Sequence, residues 1–257
     1  MIWRLLFSVA LMFATSSVIA AEDDAIVETG EADAILLINV LEPELTHSHL
    51  GVTAFTNYEN KLPNDWRLDS WAEQLVVTLL SDAGKRVAVI EAPEDRAEAI
   101  RNYKYAKTGW TKTRLEPGFA GWLKGEMEAN EASSALIVRS MQRRFPPDLP
   151  VFYSGYGVMS MHGNAPKRAF LFASVSVVSI AGDTFELGQG VLLRDSDCRE
   201  RFDPGEISIE SYKDLAPEHI EPYRERIKAL MERRVRQSLT SAGLLPGEVE
   251  KCVVENG

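Results

Sequence analysis

The chain has 257 residues, two cysteines and a formal net charge of −10, on a composition ordinary for a globular protein. The acidic excess excludes general nucleic-acid binding, which needs a basic footprint. Length suits one large domain or a domain with decorations.

The opening "MIWRLLFSVALMFATSSVIAAEDD" reads as an export signal. It has Arg4 as its charge, an apolar run from Leu5 to about Ala14, then small residues with Val18 and Ala20 placed for cleavage after Ala20. The apolar run is short for a membrane span, and no later segment is apolar for long enough, so no stable span is expected in the mature chain. No cysteine stands near the cleavage site, which argues against a lipoprotein signal. Residues 1–20 are thus expected to be a signal peptide and 21–33 an acidic, poorly ordered lead-in. Residues 34–257 then form a single domain in the periplasm. In that oxidising compartment Cys198 and Cys252 are expected to pair as a disulfide. Two free thiols, or a metal site completed by histidine, are the alternatives, although cysteines this far apart make a poor zinc motif.

In chain order, "DAILLINVL" reads as a buried strand ended by Pro43, and "GVTAFTNY" as a second strand. "NDWRLDSWAEQLVVTLLSDAG" reads as a helix, with Trp71, Leu75, Val76 and Leu79 on one face and Gly84 as its stop. "KRVAVIEA" is a strand after it, which favours a parallel β–helix–β unit. "EDRAEAIRNY" has one or two helical turns, "KYAKTGWTKTRLEP" is irregular, and "PGFAGWLKGEMEANEA" is helical from near Pro117. "SSALIVRSMQRRF", "VFYSGYGVMSMHG", "RAFLFASVSVVSIAG" and "DTFELGQGVLLRD" read as strands, the last two joined as a hairpin through Gly182-Asp183. A helix over "PEHIEPYRERIKALMERRVRQSLTSAG" closes the domain, with Tyr223, Ile227, Leu230, Met231, Val235 and Leu239 inward and Arg224, Lys228, Arg233, Arg234 and Arg236 on the polar side. The fold class is α/β (α+β). It is a mixed sheet of about six to seven strands, antiparallel in its C-terminal half, with helices packed on it.

Two constellations invite chemistry. His47 and His49 in "ELTHSHLGVTAF" could meet one metal from a single strand face, with His162 as a candidate third ligand. No Asp-His follows the pair, so the metallo-hydrolase pattern stops there, and the plain reading is a polar loop between strands. "FYSGYG" lacks a nucleophile elbow, and Gly155 and Gly157 instead mark a bulge or a close backbone approach. The second constellation is the insertion at residues 103–124, where Tyr105, Trp110, Phe119 and Trp122 interleave with Lys112 and Arg114. Aromatic and arginine side chains anchor interfaces, which makes these six residues candidates for partner binding. The competing reading has Phe119 and Trp122 packing a helix onto the sheet.

"VTAFTNYE" followed by "WAEQLVVTLLSDAGKRVAVIEA" resembles the opening of the periplasmic α/β domain shared by the N-terminal domain of TolB-type proteins and the curli secretion-pore subunit. The match runs through Phe55 and Asn57, then Ala72, Leu75 and Leu79, then Gly84 and Val87, and spans about residues 50–195. It implies a protein-binding module with no catalytic residue to carry over. This chain departs from that pattern in its extra leading strand, its aromatic insertion and the lack of a lipobox cysteine. The expected function is an exported, non-enzymatic binding or adaptor protein that contacts another envelope protein and uses no cofactor. The alternative is an exported hydrolase, with or without a metal held by His47 and His49.

Overall fold

Strand β1 (Ala34–Asn39) is apolar at all but its last position because both of its faces are covered. Ile35 and Leu37 join one core with helices α1 (Leu68–Asp82) and α5 (Arg224–Ser241). Leu36 and Ile38 join a second core with α2 (Glu94–Arg101) and α3 (Pro117–Ala129). A strand buried on both sides loses the two-residue alternation of a half-exposed one. Each such aliphatic side chain contributes about 1.5–3 kcal/mol. The computed structural model describes residues 34–51, 56–63, 65–108, 113–144, 152–161, 168–181, 207 and 215–247. Residues 32–257 group as one unit.

The other strands of the main sheet are β2 (Leu45–Leu50), β3 (Tyr58–Leu62), β4 (Val87–Ile90), β7 (Ala132–Ser140), β10 (Gly155–Met161) and β11 (Arg168–Ala181). Their order is β3-β2-β10-β11-β7-β1-β4, and the sheet curls into a half-barrel. β4, β1 and β7 run parallel, β11 lies antiparallel between β7 and β10, and β2 is parallel to β10 and antiparallel to β3. The mixed α/β class with an antiparallel C-terminal half is therefore the observed one. Two small hairpins lie beside the sheet: β5 (Ala106–Thr108) with β6 (Thr113–Leu115), and β8 (Arg143–Arg144) with β9 (Phe152–Tyr153). A short helix α4 (Pro217–Ile220) and the 3-10 turn Glu221–Tyr223 lead into α5. No helix among the described residues is long and apolar enough to cross a membrane.

Four expectations need correcting. His47 and His49 sit in strand β2, not on a loop. "LTHSHL" carries no apolar alternation, and its place in the sheet comes instead from pairing with β10 and β3 on either side. The second strand expected at "GVTAFTNY" begins later, at Tyr58, and residues 52–55 lie outside the described residues. The stretch after Lys104 is not irregular, because β5 and β6 pair there and the Glu116 N–H extends the ladder to Tyr105 O at 2.8 Å. Arg234 is buried rather than on the polar side of α5, at i+4 from Leu230, with Nη1 donating to Gln237 Oε1 at 2.7 Å. Charge alone had assigned it outward. The expected 168–195 hairpin turn, the signal peptide, the lead-in, Cys198 and Cys252 all lie outside the described residues.

Gly155 and Gly157 do mark a close approach. Both have positive φ, 79° and 147°, and a Cβ on Gly157 would stand 2.2 Å from Thr46 O of β2. That contact brings β10 and β2 together and positions the histidine pair over β10.

Candidate functional site

Helix α2 ends on a residue chemically unsuited to its backbone. The Lys104 N–H donates to Ala99 O at 2.8 Å and the Tyr103 N–H to Ile100 O at 3.1 Å. These paired bonds close a helix on a left-handed residue, where glycine is favoured. α1 and α5 close the same way on Gly84 (φ 73°) and Gly243 (φ 71°), but α2 uses Tyr103 at φ 59°. A side chain there costs about 1–2 kcal/mol. The Tyr103 hydroxyl fixes the ring by donating to Ser140 O at 3.2 Å and accepting from the Gln142 N–H.

The strained ring covers a charge. Arg139 is the next-to-last residue of β7 and, by strand alternation, shares a face with Ala135 and Ile137. Its guanidinium carbon lies 4.4 Å from the Tyr103 ring centroid and 5.2 Å from that of Tyr105. Arg139 is only 4% exposed. Nε and Nη1 are sealed from solvent without a hydrogen-bond partner, and no carboxylate among the described residues pairs with the group. Directly across the ladder stands Ser176, whose hydroxyl is also buried and without a partner. Cation–π contacts contribute about 0.5–2 kcal/mol each. An unpaired buried cation costs several kcal/mol, so the rings offset the burial only in part. Burial raises the Tyr105 hydroxyl above the usual phenol range, and the Arg139 charge pulls it back.

The place in the fold adds to the case. β4, β1 and β7 are parallel, and Arg139 stands at the C-terminal end of β7, where open α/β sheets hold their ligands. On this side Lys104, Lys107 and Arg114 are exposed, with Lys107 paired to Glu116.

The aromatic candidates divide. Tyr105 and Phe119 are core residues, with ring centroids 5.4 Å apart. Trp122 is half-buried against Phe119, and its Nε1 donates to Glu126 Oε1 at 3.1 Å. Helix packing accounts for both. Arg114 is exposed on β6, and Trp110 and Lys112 lie outside the described residues. Sequence reading missed Arg139 and Ser176. The available signal was a single cation in the apolar run "ALIVRS".

The histidine pair builds a different structure. His47 Nε2 and His49 Nδ1 converge on one hydroxyl, Ser160 Oγ of β10, at 2.9 and 2.7 Å. That hydroxyl has one proton, so one imidazole accepts it while the other donates its N–H. Tyr58 of β3 stacks on His49 with centroids 4.7 Å apart. His47 is 1% exposed and Ser160 is 0% exposed. Burial, and secondarily the neighbouring His49, push the His47 pKa down to about 4. The two nitrogens therefore face a serine rather than an open metal position, and no group of three metal-ligating residues occurs among the described residues. His162 lies outside them. Ser160 is thus engaged by the two imidazoles rather than presented at the surface.

Family models, characterised proteins and solved structures were all compared with the chain, and none matches it.

Proposed function

We propose that this is an exported binding or adaptor protein of the cell envelope, acting through contacts made where α2 ends, β5 pairs with β6 and β7 finishes. The observation that carries this reading is Arg139, a buried cation held at the C-terminal end of a parallel strand with no counter-charge among the described residues. Departures of this kind from local design rules are expected at functional sites, and a partner carrying a negative charge would compensate the group. The resemblance of residues 50–195 to the TolB and curli-pore type of periplasmic domain supports a binding role, and the reading of the opening residues as an export signal supports export. The enclosed Ser160 weighs against the hydrolase alternative.

The test is capture from envelope extract with the mature chain and with a Lys104→Ala, Arg114→Ala double variant. Both side chains are exposed, so the melting temperature is expected to stay within about a degree or two, as surface changes cost within about 0.5 kcal/mol. Recovery of the partner is expected to fall several-fold. Equal recovery from both proteins, or stoichiometric zinc in the purified chain, would contradict the proposal.

A further inference from the structure

The structure also points to what the Arg139 site takes. We propose that Arg139 and Ser176 form a binding site for a carboxylate, with Tyr103 and Tyr105 as its aromatic walls. This inference rests on reading the α2–hairpin side as the working face, and names its ligand chemistry.

Three features select a carboxylate. A guanidinium offers planar, paired N–H donors that match the two oxygens of a carboxylate. The Tyr103 and Tyr105 ring centroids stand 4.4 and 5.2 Å from the guanidinium carbon, so aromatic rings already crowd the group and a ligand is left its N–H donors. In-plane approach is how carboxylates bind arginine, whereas a flat aromatic ligand would need the face. Finally, the site holds one buried positive charge, which a monoanion neutralises. A phosphate dianion would leave a negative charge buried, with no second buried cation beside Arg139 among the described residues. The Ser176 hydroxyl, opposite Arg139 and unpartnered, supplies a further donor to the same anion.

Two sources carry this chemistry, a small organic acid and the C-terminal carboxylate of a polypeptide. The experiment titrates the mature chain, at fixed ionic strength, with propionate, a short peptide ending in a free carboxylate, its C-terminal amide and inorganic phosphate. The readout is the amide resonances of Ser176 and Met141. A saturable shift is expected with propionate and the free-acid peptide, and none with the amide or phosphate. A peptide more than tenfold tighter than propionate assigns a chain terminus, and comparable affinities assign a small acid. Ser176→Ala is expected to weaken binding about tenfold without lowering the melting temperature. Arg139→Met is expected to abolish the response while the melting temperature stays level or rises, because an uncompensated buried charge has gone. A purely structural arginine behaves oppositely, lowering the melting temperature on replacement.

The carboxylate site is overturned by an absent or unsaturable response, by one that phosphate or the amide matches, or by one that survives both variants. If capture depends on Lys104 and Arg114 while no carboxylate probe binds, this inference fails and the adaptor reading stands. Carboxylate binding without any capture that depends on those residues sinks the adaptor reading alone.

Discussion

Gly157→Ala is expected to destabilise the protein by about 3–5 kcal/mol. Two costs combine. The backbone at φ 147° is one that side chains rarely adopt, and the new Cβ would lie 2.2 Å from Thr46 O and 2.9 Å from Thr46 N. Both clashing atoms are backbone in a paired strand, so neither can turn aside as a flexible side chain would. Gly84→Ala is the control. Its φ is 73° and nothing lies within 4 Å of its Cβ, leaving only the left-handed cost of about 1–2 kcal/mol. Denaturant midpoints of the two variants separate the terms. Equal losses would mean that β2 and β10 are not pressed together at Thr46.

Acid should weaken the fold through His47. Its ring is held neutral in the folded state with a pKa of about 4, against 6.5 for a free imidazole. The unfolded chain therefore binds the proton first as pH falls. The stabilisation is fully present above about pH 6.5 and is lost progressively down to about pH 4, amounting to about 2–3 kcal/mol. His47→Gln removes the titration while leaving an amide able to meet Ser160. The difference in unfolding free energy between wild type and variant is expected to shrink by that amount from pH 7 to pH 4. Using the difference matters, because Glu59 on the neighbouring strand has its carboxyl raised by burial and works in the opposite sense. A difference that stays flat with pH would show that His47 is not enclosed as described.

Strong apolar patterns made much of this fold legible. The run "AILLIN", the face of α1 and the Leu, Ile and Val spacing of α5 each pointed to the right element, because burial decides those positions and burial is written in hydropathy. β2 and β3 were not legible. "LTHSHL" and "YENKL" are polar, and what holds them in the sheet is the backbone ladder together with a glycine contact more than a hundred residues away. The site was half visible. Tyr103 and Tyr105 stood in the aromatic island, yet the cation they enclose comes from β7, and only the fold brings it there. Phe119 carried two readings, partner binding and helix packing, and its helical spacing to Leu123 and Met127 serves the core. His47 and His49 were seen as a pair, but their shared partner Ser160 arrives from β10.

The central claim is that the α2 end, the β5–β6 hairpin and the end of β7 make up the working face. Amide hydrogen exchange of the chain alone and in complex with its captured envelope partner tests it most directly. Protection on binding is expected at residues 101–108, 113–116 and 139–142, with the β2–β3 edge unchanged. Protection confined to that edge or to α5, with residues 101–108 exchanging as in the free chain, would contradict the account.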